Sequence, residues 1–245
     1  MRKQNREKIW VRIAGDPVRD KDEVLWTVVD ITERVKAKDK IEQLASKLSR
    51  YLSPQVYQSI FSGKKNVKIE AYRKKLTVFF SDIKGFTEIT DRLEPEVLST
   101  LLNSYLNEMS KIALKYGGTI DKFVGDAILI FFGDPETKGE REDAHSCVLM
   151  ALEMQERMHH LKNLWEGQGI TNPLEIRIGI NTGYCNVGNF GSENRLDYTI
   201  IGGEVNLASR LESNAMTGQI LISQETLSLI HISEPTRLLS ISYAV

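Results

Sequence analysis

The chain has 245 residues, with 32 basic and 33 acidic side chains, a net charge of −1 and 41% hydrophobic residues. That is enough for one large domain with appendages, and the balanced charge excludes an extended nucleic-acid surface. Cys147 and Cys185 lie far apart without partners, which argues for a reducing compartment and against a disulfide framework or zinc site; no apolar run approaches the roughly 20 residues of a spanning helix, and MRKQNREKIW lacks the apolar segment of a signal peptide.

Taken in order, residues 9–31 (IWVRIAGDPVRDKDEVLWTVVDI) predict two strands around a polar, breaker-rich turn. Residues 32–52 predict a charged helix. Within it Ile41, Leu44, Leu48 and Tyr51 step by three, four and three residues, the seam of a short two-stranded coiled coil. Ser53 then caps a new helix with Pro54 at its first position and Gly63 at its end, and residues 64–75 read as a polar linker.

Residues 76–80 (LTVFF) predict a buried strand that runs into Asp82. The chain turns at Lys84 and Gly85, and Phe86 and Thr87 open a helix. A carboxylate at a strand tip can hold a divalent cation, and the N–H groups of a following first turn can face an anion. Pro95–Tyr116 predicts a long helix with Leu98, Leu101, Leu102, Tyr105, Met109, Ile112 and Ala113 on its apolar face, stopped at Gly117 and Gly118. Residues 118–132 (GTIDKFVGDAILIFF) predict a tight hairpin with Asp126 at its tip. If that hairpin pairs beside the first strand, Asp82 and Asp126 sit together and need either a shared cation or a proton.

A second long helix is predicted over residues 140–164, with Ala144, Val148, Ala151, Met154 and Met158 inward. His159 and His160 lie on it as surface residues, because adjacent helical side chains point apart. Then come a strand at 174–180, a turn at Asn181, Thr182 and Gly183 leading into 184–188, and a strand at 196–201. A helix over Gly203–Asn214, a short strand at Ile220–Ile222 and a helix start capped by Ser223 follow. Helices interleaved with an antiparallel-containing sheet predict an α+β fold, a ferredoxin-like sandwich rather than a parallel Rossmann sheet. GINTG and VGNFG do not follow dinucleotide-loop spacing. Residues 227–237 (LSLIHISEPTR) and 241–245 (ISYAV) read as the translation of a sequencing-library adapter, so the stretch 227–245 is expected to be a non-native tail.

FSDIKGFT, DKFVGDAILIFFG, IRIGINTG, VGNFGS and DYTIIGGEVNLASRLE, in this order, resemble the class III nucleotide cyclases over about residues 52–226. RYLSPQVYQSI is similar to the segment before many such catalytic domains, and WTVVDITERVKAK is similar to the last strand and exit of a PAS sensor domain. The implied organisation is a PAS-like remnant at 1–34, a helical or coiled linker at 35–75 and a catalytic domain at 76–226. Only the last two PAS strands would be present, so a truncated N-terminus is expected.

The resemblance implies intracellular, cytoplasmic signalling by an adenylate cyclase that converts ATP to 3′,5′-cyclic AMP and pyrophosphate. It implies two Mg²⁺ or Mn²⁺ ions per site, held by Asp82, Asp126 and the Ile83 carbonyl, with the amides of Gly85, Phe86 and Thr87 facing the β,γ-phosphates. Asn206 and Arg210, four apart on one helix face, would orient the ribose and meet charge on the α-phosphate. Lys122 and Thr199 would read the base. Lysine donates to adenine N1, where guanylate-forming members usually carry Glu, and Thr199 stands where many members have Asp.

In this family the metal aspartates come from one subunit and the base-reading and Asn/Arg residues from the other, so a head-to-tail homodimer is implied. The family also supplies a triphosphate-contacting lysine from later strands, which the adapter-like tail replaces here, so weak activity is expected of the chain as written. A guanylate cyclase and a non-catalytic nucleotide-binding signalling module are the alternatives. The intact aspartates argue against the module.

Overall fold

In the computed structural model the described residues are 9–17, 24–61, 70–167, 170, 174–230 and 241–243. The chain divides into two compact units, Met1–Leu52 and Ser53–Val245. In the first unit, β1 (Val11–Pro17) and β2 (Val24–Asp30) pair antiparallel, Val11 opposite Asp30 and Pro17 opposite Val24. The predicted turn between them lies outside the described residues. Helix α1 (Thr32–Leu48) is tied to this hairpin by its first residue. Thr32 Oγ1 accepts the Trp10 N–H at 2.8 Å, and the Thr32 N–H donates to Asp30 Oδ1 at 2.8 Å. Ile41, Leu44 and Leu48 of the predicted seam are exposed on α1, and exposed Tyr51 lies in a 3-10 turn, Ser49–Tyr51.

The second unit opens with α2 (Pro54–Phe61), capped as predicted: the Val56 N–H reaches Ser53 Oγ at 3.3 Å and the Tyr57 N–H the Ser53 carbonyl at 2.9 Å. Gly63 and the first part of the expected linker lie outside the described residues. The remainder of that linker is corrected, because β3 runs over Ala71–Ile83. Its polar start is strand because it pairs with β6 (Ile176–Ser192), from Ala71 opposite Gly188 to Ile83 opposite Ile176. Its charges find partners within the fold, with Lys74 Nζ 2.9 Å from buried Asp134 and Lys75 Nζ 3.1 Å from exposed Glu140.

The remaining strands are β4 (Thr119–Val124), β5 (Ala127–Phe132), β7 (Arg195–Ile201), β8 (Ile220–Ile222) and β9 (Ile241–Tyr243). With β3 and β6 they form a seven-stranded sheet in the order β4-β5-β3-β6-β8-β9, with β7 also on β6. The β6–β8 and β8–β9 pairs are parallel and the other pairs antiparallel. This is an α+β architecture, as predicted.

Alternation along β3 sends side chains to two cores. Phe79 and Ile83 pack with Ile128, Ile130, Ile176, Ile178 and Ile180 beneath α4 (Pro95–Tyr116) and α5 (Glu140–Gly167). Leu76 and Val78 pack with Leu129, Phe131, Val187 and Ile200 on the other face, against Ala208 of α6 (Gly203–Asn214). Each fully buried side chain of this size contributes about 1.5–3 kcal/mol. Of the residues predicted to face inward on α5, Ala144, Val148, Ala151, Met154 and Met158 are all buried.

Helix α6 lies directly on β6: a Cβ built on Gly179 would stand 2.2 Å from the Ala208 carbonyl oxygen and 2.2 Å from the Glu212 amide nitrogen. Only glycine allows that approach.

The turn predicted at Asn181, Thr182 and Gly183 is also corrected. These residues continue β6 opposite Val78, Thr77 and Leu76. Their polarity is absorbed inside the fold. Asn181 Nδ2 donates to the Glu204 carbonyl at 3.0 Å and to its Oε2 at 2.8 Å, and Thr182 Oγ1 lies 2.9 Å from Thr77 Oγ1. A run that reads as turn chemistry is here buried strand because the Asn181 amide nitrogen and the Thr182 hydroxyl are paired, though Asn181 Oδ1 is buried without a hydrogen-bond partner among the described residues.

Ser223 caps α7 (Gln224–Ile230), on which Leu227 and Ile230 pack against the core. Ile241–Tyr243 pairs with β8. Two pieces of the stretch expected to be a non-native tail therefore carry regular structure, an apolar helix face and a strand at the end of the sheet.

Candidate active site

Two clusters assemble from the predicted residues. The first is acidic. Asp82 is the penultimate residue of β3, and the β4–β5 hairpin turns at Gly125, whose φ of +65° suits glycine, to present Asp126. Antiparallel pairing of Ser81 with Ile128 brings the two tips together. Asp126 Oδ2 accepts the Ile83 N–H at 3.0 Å. Burial first, then the neighbouring Asp82 carboxyl, push Asp126 up to about 6, against the pull of its own amide and that of Ile83. Two carboxylates crowded at a strand end, with the Ile83 backbone between them, form an oxygen-rich donor set suited to a hard divalent cation.

Beyond Asp82 the chain turns through Lys84 and Gly85, whose φ of +69° is left-handed, into the short helix α3 (Phe86–Thr90). Helical hydrogen bonding there begins with the Ile89 N–H on the Gly85 carbonyl. The amides of Gly85, Phe86 and Thr87 thus belong to a first turn right after the acidic tip, the arrangement that can face an anion.

The raised Asp126 group makes a signed prediction. Its folded value lies above the unfolded value of 3.8, so its stabilising contribution is complete below pH 3.8 and is lost as pH rises through about 6. In metal-free protein, Asp126→Asn should melt with the unsubstituted chain near pH 4 and above it by a few degrees at pH 7. Added Mn²⁺ should reverse the order at pH 7. A melting difference independent of pH would remove the crowded-carboxylate interpretation.

The second cluster holds Lys122 and Thr199. Thr199 Oγ1 donates to Asp121 Oδ2 at 2.6 Å, and Lys122 Nζ stands 3.4 Å from Asp121 Oδ1. The two predicted base-reading residues are thus brought together through a residue to which sequence reasoning assigned no role. Asn206 and Arg210 both lie on α6, the helix expected to carry them, and are exposed; among the described residues neither side chain makes a hydrogen bond or ion pair.

Arg177 was also missed. From β6 its Nη2 reaches Asp82 Oδ2 at 3.2 Å, its Nη1 the Ser213 carbonyl at 3.1 Å, and its Nε lies 2.5 Å from Glu212 Oε1. It ties the acidic tip to the helix that carries Asn206 and Arg210. The available signal was IRIGI, one arginine inserted among isoleucines in a buried strand, where an unpaired charge is costly.

Among the described residues no group of three or more His, Cys, Asp and Glu side chains forms a metal cluster. Exposed His159 and His160 line a groove of about 1260 Å³ with Lys111, Lys115, Glu153 and Arg157, away from both clusters. No helix among the described residues is long and apolar enough to cross a membrane.

Residues 67–240 match the family described as the adenylate and guanylate cyclase catalytic domain. The chain belongs to that family. The cyclase domain is 35% identical over 198 residues to the terminal-differentiation-specific adenylate cyclase of Dictyostelium discoideum, covering 79% of this chain and 9% of that protein. It is thus similar to a small part of a much longer relative. Among solved structures, the adenylyl cyclase CyaB from P. aeruginosa is 65% identical with a TM-score of 0.66, covering 67% of this chain and 84% of that one. The guanylyl cyclase Cya2 is 41% identical with a TM-score of 0.62, covering 66% and 80%.

Proposed function

We propose that this domain cyclises ATP to 3′,5′-cyclic AMP and pyrophosphate at sites shared between two copies of the chain. The observation that carries the reading is the Asp82–Asp126 pair, brought together at adjoining strand tips, where burial first and then the Asp82 carboxyl push Asp126 up to about 6. The 65% identity to an adenylyl cyclase favours ATP over GTP. In the reaction the 3′-hydroxyl gives its proton to solvent water and its oxygen bonds to the α-phosphorus as the bond from that phosphorus to the α,β-bridging oxygen breaks, the electron pair leaving with pyrophosphate. Positioning and charge neutralisation supply most of such catalysis.

Asp82 and Asp126, with the Ile83 carbonyl, would hold the divalent cations. When bound, these lower the hydroxyl's pKa and neutralise the departing pyrophosphate. The amides of Gly85, Phe86 and Thr87 face the β,γ-phosphates, and the Asn206 side chain orients the ribose. Arg210, exposed and unpaired among the described residues, meets the charge that grows on the α-phosphate. Lys122 donates to adenine N1, with Thr199 beside it.

The exposed stripe Ile41, Leu44 and Leu48 on α1 supports pairing of two copies. The hairpin before it is read as the end of a PAS-like sensor. Buried, unbridged Cys147 and Cys185 fit a reducing, cytoplasmic setting.

The direct test is formation of cyclic AMP and pyrophosphate from α-labelled ATP with Mn²⁺. The base assignment is tested by Lys122→Glu with Thr199→Cys. Exchanging a charged donor for an acceptor should move the ratio of kcat/KM for ATP and GTP toward GTP by about a hundredfold, the weight of about two hydrogen bonds. An unmoved ratio would place base selection elsewhere.

A further inference from the structure

Asp121 lies on β4 at a break in the pairing with β5: Ile120 pairs with Ile130 and Lys122 with Leu129, so Asp121 is the extra residue of a β-bulge. In a regular strand successive side chains point to opposite faces, whereas a bulge re-aims them. Here Asp121 and Lys122 keep their charged groups 3.4 Å apart, although the Asp121 side chain is 1% exposed and that of Lys122 is 42% exposed.

The Asp121 carboxyl also spans the sheet. Strand β4 is at one end of the order, and β7 pairs on the far side of β6, yet Asp121 Oδ2 accepts the Thr199 hydroxyl at 2.6 Å and the Ile200 N–H at 3.3 Å. Three donors converge on this group: a hydroxyl, an amide and an ammonium. Burial raises the carboxyl's pKa, and these three donors oppose the rise.

An ionised carboxylate only accepts hydrogen bonds, so it dictates how the Thr199 hydroxyl turns. The single hydroxyl proton is committed to Asp121, and Thr199 presents lone pairs alone. Lys122 beside it presents N–H donors alone. Adenine offers the complement, an N1 acceptor next to a 6-amino donor. Guanine offers the reverse, an N1–H donor next to a 6-oxo acceptor, and meets like against like at both positions.

Resting on the adenylate cyclase reading above, we propose that Asp121 is a positioning residue for base choice. It converts the ambivalent Thr199 hydroxyl into an obligate acceptor and holds the Lys122 ammonium beside it. A site that commits a buried polar group to one substrate contact discriminates strongly against an analogue lacking that group.

The test measures kcat/KM for ATP, GTP and purine riboside triphosphate, which keeps N1 but lacks the 6-amino group. In Asp121→Asn the side-chain amide can donate to Thr199, releasing the hydroxyl to donate in turn. The ATP:GTP ratio and the ATP:purine ratio should each fall by about tenfold, the weight of one hydrogen bond, with the Mn²⁺ midpoint unchanged. Thr199→Val should lose the same preference and Thr199→Ser keep it. Adding Asp121→Asn to Thr199→Val should leave the ATP:purine ratio where Thr199→Val alone puts it, because the aspartate reads the 6-position through that hydroxyl.

A purely structural role would lower all three substrates together. A folded Asp121→Asn chain with unchanged ratios overturns the proposal and leaves the cyclase reading standing. Should Asp121→Asn not fold, a Thr199→Val chain that still prefers ATP to the purine analogue overturns it instead. An unsubstituted chain that cyclises neither ATP nor GTP overturns the cyclase reading, and this inference with it.

Discussion

Replacing Asp82 or Asp126 with alanine is expected to take cyclase activity to assay background. Holding the cations over the triphosphate contributes several kcal/mol of transition-state stabilisation. Loss of about 4 kcal/mol is about a thousandfold in rate. Neither side chain is replaceable by its neighbours. Asp126 is anchored by the Ile83 amide at 3.0 Å, and Asp82 is held by Arg177 at 3.2 Å. Removing one carboxylate also removes the crowding that makes the pair grip a cation, so Mn²⁺ binding by calorimetry should weaken in step with activity. Since both residues lie at strand tips rather than among the largest buried side chains, the variants should keep their fold and melt cooperatively. Full activity in either variant would sink the enzymatic assignment.

Mixing two inactive chains should restore activity. Asp126→Ala removes the metal half of a site and Arg210→Ala the α-phosphate half. If each site draws one half from each of two copies, every homodimer of either variant has two broken sites, while a mixed dimer has one site broken twice and one intact. Random pairing makes about half of the dimers mixed, so the mixture should recover about a quarter of the unsubstituted activity. The prediction leans on the separation seen in one chain. Asp82, Ile83 and Asp126 gather at the strand tips, whereas Lys122 and Thr199 gather around Asp121. A mixture that remains at background while the unsubstituted chain is active would put each complete site within a single chain.

The long α4 and α5 helices, the hairpin bearing Asp126 and the strand bearing Asp82 were all legible as residue patterns, because each is set by local periodicity and turn chemistry. The failures also have local causes. Residues 71–75 read as linker because they are polar, and Asn181, Thr182 and Gly183 read as a turn because those residue types favour turns. Both judgements price polar groups as though water must satisfy them. In the fold Asp134, Glu140, Glu204 and Thr77 satisfy them instead. Asp121 and Arg177 were passed over for the same reason, since a charge beside a turn or in a strand has no assigned role until its partner is known.

Sequence order alone therefore determined the long helices, the Asp126 hairpin, the two acidic tips and the family they indicate, because these depend on spacing along the chain. Tertiary structure alone decided that Asp126 shares space with Asp82, that Arg177 joins Asp82 to α6, and that a bulge turns Asp121 toward a threonine on a distant strand. These relations depend on sheet register and burial, through which residues far apart in the chain come to share one low-dielectric space and alter each other's charge and hydrogen bonding.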